Sequence, residues 1–150
     1  MRLVLGILLA SAVTATASGA RAGELAIVAL GLHGREGELI VAVYSKENAA
    51  RFPDPDSVIS GIRVSLAHVE DSARGVRVRI AGLLPGEYAV SAFHDTDANR
   101  ILTRNFLGIP TEAFAFSQDA RGRFGPPSFD AASFQVRDES TTVQLRLSLP

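Results

Sequence analysis

Three oxygen-bearing side chains alternate along a short stretch in the second half of the chain. Asp95, Asp97 and Asn99 occupy its positions one, three and five. This spacing aims oxygen ligands at one centre, as in calcium-binding loops. Arg100 stands where such loops use glycine, and Phe106 stands where they use a bidentate glutamate. The pattern therefore favours a loop closed by Asx turns, in which Asp and Asn bond their own backbone, and it leaves calcium as the alternative.

Three histidines could in principle hold a transition metal. His33, His68 and His94 each lie at or near the end of a predicted strand, and zinc or copper could bind if all three met. Nothing in their spacing requires such a meeting, so we interpret them as unrelated.

His94 and Asp95 could instead act in a hydrolase, but neighbours on a strand point to opposite faces and no G-x-S-x-G motif is present.

The composition excludes several other kinds of site. The chain has no cysteine, which excludes disulfides, thiolate zinc sites and Fe–S clusters. Its formal net charge of −1 does not fit a protein that binds nucleic acid. With 47% hydrophobic and 21% charged residues, a chain of 150 residues can form one domain with a substantial core.

The N-terminus has the pattern of a secretory signal peptide. Arg2 precedes an apolar run over residues 3–13, and two A-x-A sites end at Ala17 and Ala22. The run is shorter than the roughly 20 residues that a membrane helix needs. We therefore expect residues 1–22 to be removed, with cleavage after Ala17 or Ala22. Residues 23–150 should then form a single exported domain, periplasmic or extracellular, without a transmembrane segment.

Past residue 23 the hydrophobic pattern has a period of two, which is typical of strands that are buried on one face. Val76, Val78 and Ile80, for example, alternate with Arg77 and Arg79. The predicted strands cover residues 24–32, 38–45, 61–69, 76–80, 87–94, 132–136 and 142–149. Seven short strands separated by turns predict an all-β fold, an antiparallel seven-stranded sandwich of the immunoglobulin-like or transthyretin-like kind. A small β-barrel is the alternative.

Residues 95–130 interrupt this pattern of strands. Loops longer than about 12–15 residues are uncommon and often functional. Four phenylalanines, Phe106, Phe114, Phe116 and Phe124, lie in this segment, and Phe129 lies by its end. We expect an ordered loop in which all five pack against the sandwich. The candidate binding surface consists of His94, Phe106, Glu112, Phe116, Phe124 and Phe129.

Several separated blocks of sequence are specific to one family. They include residues 84–90 (LPGEYAV), the pair His94-Asp95, residues 105–112 (NFLGIPTE) and residues 124–129 (FGPPSF). With these blocks in this order, the chain resembles a bacterial family catalogued as domain of unknown function 2141. The resemblance implies an exported β-sandwich of unassigned function, and it implies no reaction. The family typically has N-x-N-G-x-x-D after His-Asp, whereas here Arg100 replaces the glycine and Thr103 the later aspartate.

The sequence thus favours a protein that is not an enzyme. We interpret it as a binding or envelope-associated module that uses the loop 94–130 to contact an unknown ligand or an envelope protein. A hydrolase that uses His94 and acidic neighbours is one alternative, and a calcium-stabilised structural module is another.

Overall fold

A computed structural model describes residues 22–32, 34, 36–69 and 74–150. Every structural statement below concerns this part of the chain. The predicted signal peptide lies outside the described residues except for Ala22, and so does His33.

The described residues form eight strands, one more than the sequence predicts. The strands are β1 (Gly23–Leu30), β2 (Glu38–Ser45), β3 (Ser60–Ser65), β4 (Val76–Leu83), β5 (Gly86–Asp95), β6 (Phe114–Phe116), β7 (Phe134–Val136) and β8 (Thr141–Arg146). A single turn of α-helix, α1 (Phe129–Ala132), precedes β7, and 3₁₀ turns follow β2 at Lys46–Arg51 and Pro55–Ser57. None of the helices described here is long and apolar enough to cross a membrane.

The strands form two separate sheets, which confirms the β-sandwich and makes the small closed barrel wrong. One sheet has the order β4-β1-β8, and the other has the order β3-β2-β5-β6 with β7 also paired to β5. The expectation of a purely antiparallel fold is wrong at one place, because β1 and β8 are parallel. The chain crosses from β7 in the larger sheet to β8 in the smaller one. Strand β8 therefore does not follow β1 through a hairpin, which would have made the two strands antiparallel.

Alternation along the strands builds the core between the two sheets. Val78, Ile80, Leu145 and Leu147 are all buried, as predicted, while Arg77 and Arg79 are exposed. The largest completely buried apolar side chains come from both sheets and from the segments beside them, and they are Leu25, Ile27, Leu32, Leu39, Val41, Val43, Leu66, Val90, Val136 and Leu145.

The segment 95–130 is only partly the packed loop that we expected. Phe129 is buried, and Phe114 and Phe116 are half-buried in β6. The prediction is wrong for Phe106, which is 95% exposed, and for Phe124, which is fully exposed. Both lie in turns that leave the sheets, where no neighbouring layer of the described chain covers them.

Of the seven predicted strands, only β2 has its predicted bounds, and the other six differ from the observed ones. Strand β3 ends at Ser65, before the 3₁₀ turn Leu66–His68, although the prediction extends to residue 69. The two strands at the C-terminal end differ for reasons that the contacts show. The hydroxyl of Ser128 accepts a hydrogen bond from the amide of Ala131 and so caps α1, which makes Ala132 helical and delays β7 to Phe134. At the C-terminus β8 ends at Arg146, although the Leu147 amide still donates to the Leu30 carbonyl.

The outward face of the five-stranded sheet is covered at one end by aromatic side chains. Tyr44 of β2 contacts Phe52 at a ring-centroid distance of 4.9 Å. Phe52 in turn contacts Phe116 at 5.7 Å and Phe129 at 5.8 Å, in edge-to-face geometry. This aromatic cluster holds residues 46–58 and α1 against the sheet, and it leaves the middle of the same face uncovered.

Candidate functional site

The uncovered middle of the outward face is the floor of a cleft of about 700 Å³. Its floor follows one row of neighbouring residues across four strands. Ile40 of β2 lies opposite Arg63 of β3 and opposite Phe93 of β5. Phe93 in turn lies opposite Phe114 of β6. The next row of the same face contains Ala42 and Ser91, so the floor is mainly apolar.

The walls of the cleft come from the two segments that cross this face. Pro53, Pro55 and Val58 contribute one wall, while Ile101 and Leu102 contribute another. The cleft therefore has the volume and the largely apolar lining that are typical of small-molecule sites.

The charged residues that line the cleft, within the described part of the chain, are all arginines. Arg63, Arg100 and Arg104 line it, and no described Asp, Glu or Lys does. Arg63 Nη1 is 4.0 Å from Glu38 Oε2, which is buried and accepts no hydrogen bond from the described residues, so the ion pair is a long one. Arg104 Nη1 donates to the Gly108 carbonyl at 2.9 Å, and no described residue pairs with the guanidinium of Arg100. The lining thus carries positive charge that the described residues neutralise only in part.

Two of the predicted oxygen ligands, Asp95 and Asp97, come together with Glu112 at the end of β5. Asp95, Asp97 and Glu112 each contribute one carboxylate oxygen to a group whose members all lie within 4.8 Å of one another. Asp95 and Glu112 are buried, and Asp97 is exposed. The sequence predicts Glu112 in the binding surface but not as a neighbour of the two aspartates. Its approach to them depends on the loop folding back on itself, which local spacing does not reveal.

Asp95 closes the turn that follows β5. Its Oδ1 accepts a hydrogen bond from the Asn99 amide at 3.2 Å, and its Oδ2 accepts one from the Arg100 amide at 2.7 Å. Arg100 adopts a φ of 67°, in the left-handed region that calcium loops and Asx turns usually give to glycine. The hydrogen bond from the Arg100 backbone N–H to Asp95 offsets part of the free-energy cost of that conformation.

Asn99 is used within the same turn. Its Nδ2 donates to Asp97 Oδ2 at 2.8 Å, and its Oδ1 accepts from the Ile101 amide at 2.7 Å. The side-chain oxygen that would bind a cation therefore already has a backbone donor.

Glu112 ties the two ends of the loop together. Its Oε1 accepts from the Thr96 amide at 2.8 Å and from the Thr96 hydroxyl at 3.1 Å. Its Oε2 accepts from the Thr103 amide at 3.0 Å. These bonds account for the buried carboxylate without a cation, so calcium binding at Asp95, Asp97 and Asn99 stays a prediction.

Burial is the main influence on the acidity of Asp95. Desolvation raises its pKa above the ordinary 3.8, and the nearby Asp97 and Glu112 raise it further. The amides of Arg100 and Asn99 act in the opposite direction, because they donate to the ionised carboxylate.

His94 lies away from the cleft. Its side chain is buried, and its Nε2 is 2.8 Å from the Glu36 carbonyl. His68 is exposed, and no metal-binding cluster among the described residues contains a histidine. His94 is therefore buried beside the Glu36 carbonyl and does not line the cleft.

The remaining residues of the predicted binding surface separate. Phe116 lines the cleft and Phe129 belongs to the aromatic cluster, but Phe106 and Phe124 do not line the cleft. We did not predict the floor residues Ile40 and Phe93, although apolar residues on both faces of β2 and β5 were a signal for a second covered surface.

One family model matches this chain, over residues 27–144. Its description is "Uncharacterized protein conserved in bacteria (DUF2141)". No curated protein and no solved structure shows significant similarity to the chain.

Proposed function

We propose a non-enzymatic binding function, outside the cytoplasm, for this chain, which belongs to the DUF2141 family of bacterial proteins. The ligand is a small molecule with an apolar body and an acidic group, and it occupies the cleft on the outward face of the five-stranded sheet. The loop 94–130 forms part of that site, since it contributes one wall and two of the three arginines.

The lining of the cleft is the observation that carries this proposal. Apolar side chains such as Ile40 and Phe93 form its floor, and the charged lining residues among those described are Arg63, Arg100 and Arg104. Burial of an apolar body in a concave site is favourable, and a few placed polar groups set the orientation of the ligand. Arginine suits carboxylates and phosphates because its planar fork can donate two parallel hydrogen bonds.

Export is part of the same proposal. The N-terminal apolar run and the two A-x-A sites support it. Strand β1 begins at Gly23, immediately after the second site. Cleavage after either Ala17 or Ala22 would therefore leave the first strand of the domain complete.

We do not adopt the two alternatives from the sequence. A hydrolase would need His94 at an accessible surface, whereas its ring is buried and lies 2.8 Å from a backbone carbonyl. A calcium-stabilised module would need free ligand oxygens, whereas Asp95 and Glu112 already accept hydrogen bonds from the loop.

A fluorescent acid tests the binding function directly. The protein is expressed with its own N-terminus and then isolated. Dansyl-labelled undecanoic acid should gain fluorescence when it binds to this protein. Ala42→Trp places a large ring on the cleft floor and should abolish that binding. Ala81→Trp changes an exposed alanine of β4 in the other sheet, and it should leave binding unchanged.

The role of charge needs a second pair of measurements. Arg100→Gln should weaken binding of the labelled acid about tenfold or more, because a hydrogen bond to a charged group contributes roughly 1.5–3 kcal/mol. Binding of the corresponding methyl ester should be weaker and should not respond to Arg100→Gln. Equal binding by wild type and Ala42→Trp, with both proteins folded, would overturn the proposal.

A further inference from the structure

A second surface of the molecule adjoins the cleft and shares Arg104 with its lining, but takes no part in the cleft floor. We call it the loop tip, and it consists of the turn at residues 104–110, which carries Phe106, Leu107 and Ile109. Phe106 is 95% exposed, Leu107 is 67% exposed and Ile109 is 44% exposed. Ile101 at the base of the same loop is 70% exposed. Large apolar side chains that cluster on a surface commonly mark an interaction site.

The loop tip is an ordered turn. Asn105 Oδ1 accepts from the amides of Leu107 at 2.9 Å and Ile109 at 3.1 Å. The Asn105 amide donates to the Ile109 carbonyl at 2.9 Å, and Arg104 pairs with Pro110 across the turn as an isolated β-bridge. The exposure of Phe106 and Leu107 is therefore imposed by a hydrogen-bonded backbone.

Hydrogen bonds, two of them to the buried Glu112, fix the base of the loop tip to the sandwich. The amide of Thr103 donates to Glu112 Oε2, and the Thr111 amide donates to the Thr103 carbonyl at 2.9 Å. Because Glu112 also accepts from Thr96, both ends of the loop are held at the end of β5. The turn is thus presented at a defined place on the molecule.

The charges around the loop tip are positive. Residues 98–111 contain Arg100 and Arg104 and no acidic residue. The nearest acids in sequence are Asp97 and Glu112, of which Glu112 is buried. Exposed Phe and Leu beside arginine are the combination by which peripheral proteins bind anionic lipid surfaces.

We propose that the loop tip docks on a bilayer that contains anionic lipid. Phe106 and Leu107 enter the interface, while Arg104 remains at the level of the headgroups. Two adjacent side chains at the end of a turn do not make the broad face, about 800 Å² per partner, that a stable protein interface needs. This inference does not rest on the ligand in the cleft.

The absence of tryptophan from the sequence makes the test specific to position. The chain has no Trp, so Phe106→Trp creates a single indole fluorophore at the loop tip. Leu84→Trp is the matched control, because Leu84 is also exposed but precedes β5 at the opposite end of that strand. Both proteins are isolated after expression with the native N-terminus and mixed with vesicles of equal parts phosphatidylglycerol and phosphatidylcholine.

Docking predicts that the indole emission of Phe106→Trp shifts to shorter wavelength on these vesicles and is quenched by lipids brominated in the acyl chain. The emission of Leu84→Trp should do neither. The double variant Phe106→Ser, Leu107→Ser should lower vesicle binding at least tenfold, since it removes the two apolar side chains that enter the interface. Arg104→Gln should lower it about fivefold on anionic vesicles and leave binding to pure phosphatidylcholine unchanged.

Three results would overturn the docking proposal. The first is an emission of Phe106→Trp that vesicles do not change. The second is an equal shift for Leu84→Trp, which would place the contact elsewhere. The third is a shift for Phe106→Trp that depends on protein concentration and occurs without lipid, because it would identify a second copy of the chain as the occupant.

Discussion

Asp95 combines two properties that rarely occur in one carboxylate, since it is completely buried and has no cationic partner among the described residues. Its pKa is raised above the ordinary 3.8, chiefly by desolvation. The unfolded chain keeps the lower value. Ionisation of Asp95 therefore costs more in the folded state than in the unfolded state, so that the folded state binds more protons in the interval between the two pKa values.

This difference predicts how stability responds to pH. The contribution of Asp95 to the free energy of unfolding is greatest below the unfolded pKa and is lost as the pH rises through the folded pKa. Wild type should therefore lose stability relative to Asp95→Asn as the pH rises above the ordinary pKa of 3.8 and through the raised pKa of the folded state. Urea unfolding at several pH values measures the difference. Asp138→Asn, an exposed carboxylate before β8, is the control and should show no such trend.

A difference between wild type and Asp95→Asn that stays constant with pH would contradict this account of Asp95. A difference that changes in the opposite direction would contradict it equally. The constant part of the difference is not diagnostic, because Asn can replace only one of the two oxygens that accept from Asn99 and Arg100.

The residues also show where prediction from the sequence succeeds and where it cannot. The alternation that predicted a buried Val78 depends only on neighbours in the sequence, and the structure confirms it. The pairing of Glu112 with Thr96 and Thr103 depends on how the loop folds back, which no local spacing encodes. Arg100 at a φ of 67° is a similar case, since its type argued against the turn that it makes.

The loop between β5 and β6 is closed by carboxylates in the way that other loops are closed by cations. Because the oxygens of Asp95 and Glu112 already accept amide hydrogens, calcium would have to displace those bonds in order to bind. We therefore expect the melting temperature to change by less than about 2 °C between millimolar calcium and chelator. Differential scanning calorimetry measures this change. A larger shift that Asp95→Ala abolishes would show that a complete calcium site exists.

The edge strand β4 offers a direct test of the packing between the sheets. Val78→Ala or Ile80→Ala should lower the free energy of unfolding by about 1–4 kcal/mol, because each removes buried methyl groups and leaves a cavity. Arg77→Ala, on the exposed face of the same strand, should change it by no more than about 0.5 kcal/mol. Urea unfolding that gives equal losses for Val78→Ala and Arg77→Ala would contradict the assigned faces.

Two features that the sequence did not predict, the strand β6 and the parallel pairing of β1 with β8, cannot be recognised from local alternation. β6 has three residues, too few for a period of two to be recognised. The parallel pairing of β1 with β8 is determined by tertiary packing, because each strand shows the same alternation whether it runs parallel or antiparallel to its neighbour. By contrast β2, which is eight residues long and bounded by turn residues, was predicted with its observed limits at Glu38 and Ser45.

At the scale of the whole molecule, one sheet face carries most of what distinguishes this sandwich. The inward face of the five-stranded sheet contributes to the core, and its outward face carries the aromatic cluster and the cleft. The loop that Asp95 and Glu112 close follows β5. An outward sheet face that faced only water would be polar. Ala42 packs against the aromatic cluster, whereas the ligand that we propose for the cleft would account for Ile40 and Phe93.

Export of the whole chain gives a further prediction. We expect the N-terminus of the protein recovered from cells to be Ser18 or Gly23, because cleavage follows Ala17 or Ala22. N-terminal sequencing of the periplasmic fraction measures this directly. Recovery of a form that begins at Met1, in the cytoplasm alone, would contradict export.

The central claim is that the cleft holds an apolar acid, and the molecule retained by the protein itself tests it most directly. Wild type, Ala42→Trp and Ala81→Trp are isolated from the cell envelope under mild conditions and measured by native mass spectrometry. The account predicts a bound small molecule on wild type and on Ala81→Trp that is released as an anion on activation, and its loss from Ala42→Trp. Its absence from all three proteins, or equal amounts on all three, would contradict the claim.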